Sequence, residues 1–552
     1  MFPYATETFS ADEEDILRRY VTNLDLPVFA LVNLPEVVKG ALFARYSRSP
    51  KSLRRLFLDE FVGELDISGD ATVDATVGLK RAEQLYEKVF FEYGDDSVAQ
   101  LGGVHLACEQ ASNVLTKVLE WGRLMAYLEQ STRYIAYNQR LTTGHYRYYR
   151  HPGLLDSPLG ARYVGDLDRM FDTYAELLEE AQAWLSARHP RHPGDSDFVH
   201  RQAIRAKALD AVRGLLPAAS LSNVGIYATG QSYEMLLLRM RSHPLDEARQ
   251  YADLMLTELR KVIPSFLQRV DLPDRGGAWS AYLERTRRET GDLVEELFPD
   301  LVSPADQPPV GPSGEPSVTL VDFDPEGEDK VIAAVCAPHT GRPEEEVLAR
   351  VRLLGSEEKR SILRAYVGDR ANRRHRPGRA FERTDYRFDV VTDYGAFRDL
   401  QRHRMLTIEW QPLGTTLGYD VPEVVEGAGL TERYTASLER SRQLCEAMLP
   451  AFPVESAYAV ALAFRIRYSM QMNAREAMHL TELRSGPQGH PGYRWVAQEM
   501  HRLIAGKAGH RLLAEAMSHV DFGAEDLERL ESERRAEEKR NSMTAAGNRA
   551  NP

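Results

Sequence analysis

Apolar residues recur at helical spacing over three stretches of the first half: Ala82 to Phe91, Val104 to Met125 and Tyr163 to Arg188. Each predicts a helix, most clearly in MFDTYAELLEEAQAWL. Further along, SVTLVDFD (Ser317 to Asp324) predicts a strand, and the VIAAVCA that follows predicts a helix. RTDYRFDVVTDY (Arg383 to Tyr394) alternates apolar and polar positions in part, as a half-buried strand does. The next segment, GAFRDLQRHR, predicts a helix that starts at a glycine and ends in positive charge, which suits the negative end of a helix dipole. MNAREAMHLTELRSGPQGH (Met472 to His490) predicts another helix. Both halves therefore read as α+β, helix-rich.

One segment interrupts this pattern. VSPADQPPVGPSGEPSV, from Val302 to Val318, is rich in Pro, Gly and Ser and nearly free of large apolar residues, a linker composition. It divides the chain into a domain over 1–301, a linker over 302–316 and a domain over 317–523. The remainder, 524–552, opens on AEDLERLESERRAEEKRNS and predicts an exposed charged helix with a disordered end. No strict repeat period is present, yet the order of parts recurs in the two halves.

Composition narrows the function classes. At 552 residues the chain exceeds one compact core. No stretch approaches the roughly 18 apolar residues of a membrane helix, and the acidic start MFPYATETFSADEED lacks the order of a secretory signal, so a cytoplasmic location is expected. A net charge of −13 makes nucleic acid an unfavourable partner for the whole chain. Cys108, Cys336 and Cys445 are too few and too far apart for a disulfide framework or a zinc site, and no metal ligands are expected.

Three constellations carry possible chemistry. LEWGRLMAYLEQSTRYIAYN (Leu119 to Asn138) places Glu129, Ser131, Arg133 and Tyr134 just beyond a predicted helix bearing Arg123. A hydroxyl and a guanidinium two residues apart suit a phosphate monoester, though an ordinary helix end with a surface ion pair reads the same way. DLQRHRMLTIEW (Asp399 to Trp410) sets Arg402, His403 and Arg404 in a row behind Gln401. Consecutive residues cannot share one helix face, so the triplet can bracket an anionic partner; a solvated basic helix end is the alternative. Asn473, Arg475, His479 and Arg484 fall on the later predicted helix. Asn473 and Arg484 lie about three turns apart and face similar directions, serving either a ligand or internal hydrogen bonds.

Together these motifs resemble those of the flavin-dependent thymidylate synthase family. That family carries an Arg-His-Arg triplet, then a Glu-x-Ser-x-Arg-Tyr run, then a helix opening Asn-Ala-Arg and ending in a nucleotide-facing arginine. Here the signatures are divided. The second half keeps Arg402, His403 and Arg404, and Asn473, Ala474, Arg475 and Arg484, but reads PLGTTLGYD in place of the Ser-x-Arg-Tyr run. Its RPGRAFER retains Phe381 and Glu382 of the family's Phe-Glu-His. The first half keeps EQSTRY, while its triplet is Trp121, Gly122 and Arg123 and its flavin loop reads GDDSVAQL. Arg213 in AVRGLLP matches the arginine that reaches the nucleotide phosphate, and Arg239 and His243 in LLLRMRSH resemble the end of the later helix. The likeness spans roughly Val28 to Pro273 and Ser317 to Asp521.

The resemblance implies two tandem copies of the family fold and reductive methylation of dUMP to dTMP. Methylenetetrahydrofolate would supply the carbon, and FAD reduced by NADPH the hydride; a silent paralogue that only binds flavin or nucleotide is the alternative. It assigns Ser131, Arg133 and Arg213 to the nucleotide phosphate, with Glu129, Tyr134, Arg239 and Gln401 among the substrate-binding residues. Arg484 matches the catalytic arginine that favours ionisation of the uracil. Arg402, His403 and Arg404 would embrace the flavin ring, with Asn473 and His479 on its far portion and His243 the counterpart in the other copy. Because such enzymes are homotetramers with sites between subunits, each copy is expected to keep the face it contributes, and a homodimer to rebuild a pseudo-tetramer.

Overall fold

The computed structural model describes residues 3–34, 42–43, 46, 49–60, 103–299 and 316–523, and in the tail 527, 529–531, 533–535 and 537–538. The predicted Ala82 to Phe91 helix, the GDDSVAQL loop and the linker up to Glu315 lie outside the described residues.

Eight strands order the fold: β1 (Val28–Leu31), β2 (Gly103–Ser112), β3 (Met125–Glu129), β4 (Leu221–Thr229), β5 (Ser317–Phe323), β6 (Asp385–Asp393), β7 (Thr407–Trp410) and β8 (Arg465–Asn473). The helices that position the site are α1 (Asn113–Leu119), α2 (Gly160–Arg188), α3 (Asp197–Val212), α4 (Gly230–Arg241), α5 (Asp246–Arg260), α6 (Gly327–Cys336), α7 (Tyr394–Leu400), α8 (Thr431–Met448), α9 (Ala474–Arg484) and α10 (Pro491–Gly506). The strands form two antiparallel sheets with orders β1-β2-β4-β3 and β5-β6-β8-β7. The same order occurs twice, once in each half of the sequence. Each second strand is followed by a short helix (α1, α7) and each fourth by a longer one (α4, α9).

Two compact units divide the residues unequally with the sequence halves. One comprises Met1–Ala175, Leu216–Pro309 and Ser437–Ala461; the other comprises Glu176–Leu215, Val310–Ala436 and Leu462–Pro552. In the first unit the exchanged segment is tied in by backbone: Ala218 N donates to the Val460 carbonyl at 2.7 Å and Ala219 N to that of Tyr458 at 3.0 Å. In the second, Ala463 N donates to the Gly214 carbonyl at 2.9 Å.

Local chemistry explains most elements. On β6, Tyr386, Phe388 and Val390 point to one face and are fully buried, as are Met470 and nearly so Ile466, Tyr468 and Met472 on β8. Each such side chain contributes about 1.5–3 kcal/mol of apolar burial. Four of the short-to-medium helices begin on a side-chain cap: Ser112 for α1, Thr229 for α4, Asp393 for α7 and Asn473 for α9. Such caps accept the amide protons that a helix start leaves unpaired.

Three expectations need correction. Val104 to Met125 is not one helix: it is most of β2, then α1, then a turn into β3. Strand β2 is buried on both faces, and such a run has no two-residue alternation to separate it from a helix. Arg123 accordingly sits in that turn rather than on a helix. The helix predicted over GAFRDLQRHR starts one residue earlier and ends at Leu400, leaving Arg402 to Arg404 beyond it. Past that end His403 turns to Glu476 and Arg484 of α9. The predicted strand over 317–324, the 163–188 helix and the 331–337 helix are present as β5, α2 and α6, each within a few residues. Among the described residues no helix is long and apolar enough to cross a membrane.

Candidate functional site

The second unit gathers its charged residues where α7 unwinds against α9. His403 is buried, its Nε2 accepting from Arg484 Nε at 3.0 Å and its Nδ1 lying 2.9 Å from Glu476 Oε1. Because Nε2 accepts, the ring proton is on Nδ1 and is donated to the glutamate. Burial pushes the His403 imidazole well below its ordinary range, and the guanidiniums of Arg484, Arg402 and Arg376 push the same way, so the ring is neutral. Burial likewise raises Glu476 to about 7, against the opposing pull of Arg376, Arg404 and Arg475.

His479 lies one helical turn beyond Glu476, its ring centroid 5.3 Å from that of His403. Its Nδ1 accepts from Arg376 Nη2 at 2.9 Å, and burial with the neighbouring cations lowers it to about 4. Both imidazoles are thus neutral acceptors for arginine. The ligand atoms of His403, Glu476 and His479 lie within 4.8 Å of one another. Guanidiniums already occupy a lone pair on each ring and raise the local positive charge, an arrangement unsuited to a metal cation.

Asp399 anchors the other side. Its carboxylate pairs with Arg402, lies 3.9 Å from Arg484 Nη1 and lies 3.8 Å from Arg213 Nη1. Arg213 also lies 3.9 Å from Asp393. This arginine belongs to the first half of the sequence, and the structure places it in the second unit with the Arg402 to Arg404 triplet. Gln401 is buried at the end of α7, and Arg404 is exposed. Asn473 is the N-cap of α9 rather than a residue of it; its Oδ1 accepts from Glu476 N at 2.9 Å. Arg475 turns aside to the Pro377 carbonyl and to Glu382, at 3.0 and 3.2 Å.

The first unit presents the corresponding elements with different residues. Ser131 Oγ accepts from Arg133 N at 3.2 Å, Arg133 is buried and Tyr134 is exposed. Glu129, at the end of β3, is buried 3.4 Å from Lys117 Nζ, which also reaches Glu120 at 2.6 Å. Arg239 on α4 lies over the ring of Trp121, the first residue of that half's triplet, at 5.1 Å. His243 is lowered to about 4 by burial and by Arg287 and Arg249, and its Nδ1 accepts from Leu245 N at 3.1 Å.

A family model described as thymidylate synthase complementing protein matches this chain twice, over residues 44–265 and 319–508. The chain belongs to that family. Each match contains three strands or more of one four-stranded sheet, so the protein is a tandem pair of the thymidylate synthase complementing fold. A UPF0159 protein of Chlamydia muridarum (strain MoPn / Nigg) is 38% identical over 531 residues, covering 96% of this chain and 98% of that protein. A UPF0159 protein of Chlamydia pneumoniae is 37% identical with the same coverage. One from Thermoplasma acidophilum is 31% identical, covering 90% and 97%. Among solved structures, the UMP/dUMP methylase PolB of Streptomyces cacaoi bound with 5-Br dUMP matches at 18% identity and a TM-score of 0.31, covering 38% of this chain and 97% of that one.

Several residues of the site escape a reading of motifs. Glu476 stands three residues after the Asn473 cap, a position where an acid ordinarily serves the helix start. Asp399 sits three residues before Arg402 and reads as a helix ion pair. Arg376 lies in RRHRPGR, where the density of arginine was the available signal.

Proposed function

We propose that the protein is a flavin-dependent thymidylate synthase that converts dUMP to dTMP with methylenetetrahydrofolate, using FAD reduced by NADPH. The observation that carries this reading is the neutral His403, held between Arg484 and Glu476 beside the exposed Arg376 and Arg404. Donors fixed in place by a buried network suit a ligand that gains negative charge during turnover.

The residues fit a reduced flavin. Arg402, His403 and Arg404 would hold its ring, with His479 and the Asn473 amide on its remainder; bound there, it supplies the hydride. Arg484 would favour the ionised uracil, since its guanidinium is already oriented by His403 and Asp399. Gln401 is assigned to the same ligand. Ser131, Arg133 and Arg213 are assigned to the nucleotide phosphate, with Glu129 and Tyr134 near its sugar or base. Arg239 and His243 are assigned the equivalent positions of the divergent copy. Self-association as a homodimer belongs to the same reading and is checked by the mass of the protein in solution.

A silent, ligand-binding role is favoured by one observation. Arg383 stands where the family motif has histidine, and its Nε is tied to Glu344 Oε1 at 2.7 Å. Two measurements separate the readings. Purified protein should bind FAD and be yellow, and should release the C5 proton of dUMP only with reduced flavin. Yellow protein without proton release supports the silent paralogue; protein that takes up no FAD sinks the enzyme, and protein that takes up neither FAD nor dUMP sinks both.

A further inference from the structure

A helix over Ala278–Leu297 follows the first sheet in the sequence and belongs to the first unit. It lies outside both stretches that the family model matches, so it is an addition to the tandem fold. None of its residues is buried. Its beginning rests on α4: Ser280 Oγ donates to the Leu238 carbonyl at 3.3 Å, and Arg287 donates to the carbonyl of Ser242, just past α4. From Arg288 onward every residue of it is exposed.

One edge of this helix is uncharged throughout, carrying Trp279, Leu283, Thr286, Thr290, Leu293 and Leu297. Steps of four and three residues alternate along it, the heptad seam of a helix that packs on another helix. Trp279 is 43% exposed, Leu293 52% and Leu297 58%. The outer turns also contain Gly291, which weakens a helix. Most helical stability in proteins comes from packing of an apolar face, and these turns have their apolar face open among the described residues.

The seam is its own complement. Reflected about Arg288, Trp279 falls opposite Leu297, Leu283 opposite Leu293 and Thr286 opposite Thr290. Two antiparallel copies therefore match layer for layer, with large apolar side chains outside and a polar centre that fixes register. Charge favours the same direction. Before Arg288 the helix carries Arg285 and Arg287 against Glu284; after it come Glu289, Asp292, Glu295 and Glu296 with no basic residue. Antiparallel pairing sets the basic half against the acidic half, whereas parallel pairing sets the acidic halves together. The half of each helix that rests on α4 also meets the free half of the other.

We propose that this helix is a self-association surface, pairing antiparallel about Arg288 with the same helix of a second copy of the chain. The pairing gives the homodimer of the proposed function a specific contact, but it involves neither flavin nor nucleotide.

The test is made on the full chain. Leu283 and Leu293 lie about 15 Å apart along one helix, too far for a disulfide within it. The double variant Leu283→Cys with Leu293→Cys should oxidise to a covalent dimer at least about tenfold faster than either single variant, because pairing holds the thiols of two chains at high effective concentration. All variants keep the same native cysteines, Cys108, Cys336 and Cys445, which cancel in the comparison. Adding Trp279→Asp and Leu297→Asp, both at exposed positions, should return the rate to that of the single variants. A double variant no faster than the single ones overturns the proposal, and this is the result when another segment of the chain, a different protein or lipid covers the seam. Single variants that cross-link equally fast indicate parallel pairing or collision and overturn it as well. So does a rate that the aspartates leave unchanged. Where Leu283→Cys fails to fold, Trp279→Cys with Leu297→Cys makes the same comparison at two exposed positions. The readout is a covalent bond, so failure here leaves the enzymatic reading intact, and failure to bind FAD leaves the helix pairing intact.

Discussion

Arg484 donates from Nε to Nε2 of His403 at 3.0 Å, and this one bond determines which imidazole nitrogen carries the proton. With Nε2 an acceptor, Nδ1–H is directed to Glu476. Nitrogen NMR of labelled protein should find His403 as the neutral Nδ1–H tautomer, unchanged on acidification through the pH range where exposed histidines titrate. A His403 signal that titrates with the others would refute the tautomer assignment.

Arg484→Ala removes a charged donor that burial and two partners hold in place. Under the proposed function, C5 proton release from dUMP should slow by about 10²–10³, equivalent to about 2.7–4 kcal/mol of transition-state stabilisation. The check is tritium release from labelled dUMP with flavin saturating. A rate within a factor of about two of the unaltered protein would remove Arg484 from the chemistry.

Arg404 is exposed, so replacing it should affect ligand before fold. Arg404→Ala should weaken FAD about tenfold or more, the range for one hydrogen bond to a charged group, while the unfolding midpoint stays nearly constant. Flavin fluorescence titration and thermal unfolding measure the two quantities on one sample.

Lys117 is the countercharge for two buried carboxylates, Glu120 and Glu129. Lys117→Met leaves both without it and should destabilise the first unit by about 3–5 kcal/mol, as breaking a buried ion pair does. The double variant Lys117→Met with Glu120→Gln should recover part of that loss. Denaturant unfolding of the set tests the coupling.

Glu247 is fully buried and is raised to about 7 by that burial, in spite of hydrogen bonds from Ser112 and Tyr458. A carboxyl whose folded value lies above its unfolded value binds its proton more tightly when folded. Its contribution to stability is therefore complete below about 4.5 and declines as the pH rises through about 7. Glu247→Gln should flatten this part of the stability profile, with a differential effect on the order of 1–3 kcal/mol across the window. An unaltered slope between these pH values would place the titration elsewhere.

The sequence by itself determined the class of fold, the tandem pair and the candidate arginines, because these depend on local signals. Period-two alternation marks β6, helical spacing marks α2, and short motifs such as EQSTRY and MNAREAMH survive wherever the chain folds. It did not separate β2 from a helix, since a strand buried on both faces loses its alternation. It did not end α7 at Leu400 either. Just beyond that boundary His403 accepts from Arg484 and donates to Glu476, more than seventy positions along the chain. Only tertiary structure placed Arg213 beside Asp393 and Asp399 and made His403 a neutral acceptor. Those properties arise from burial and from charges distant in sequence, whose effect on one another depends on distance in space.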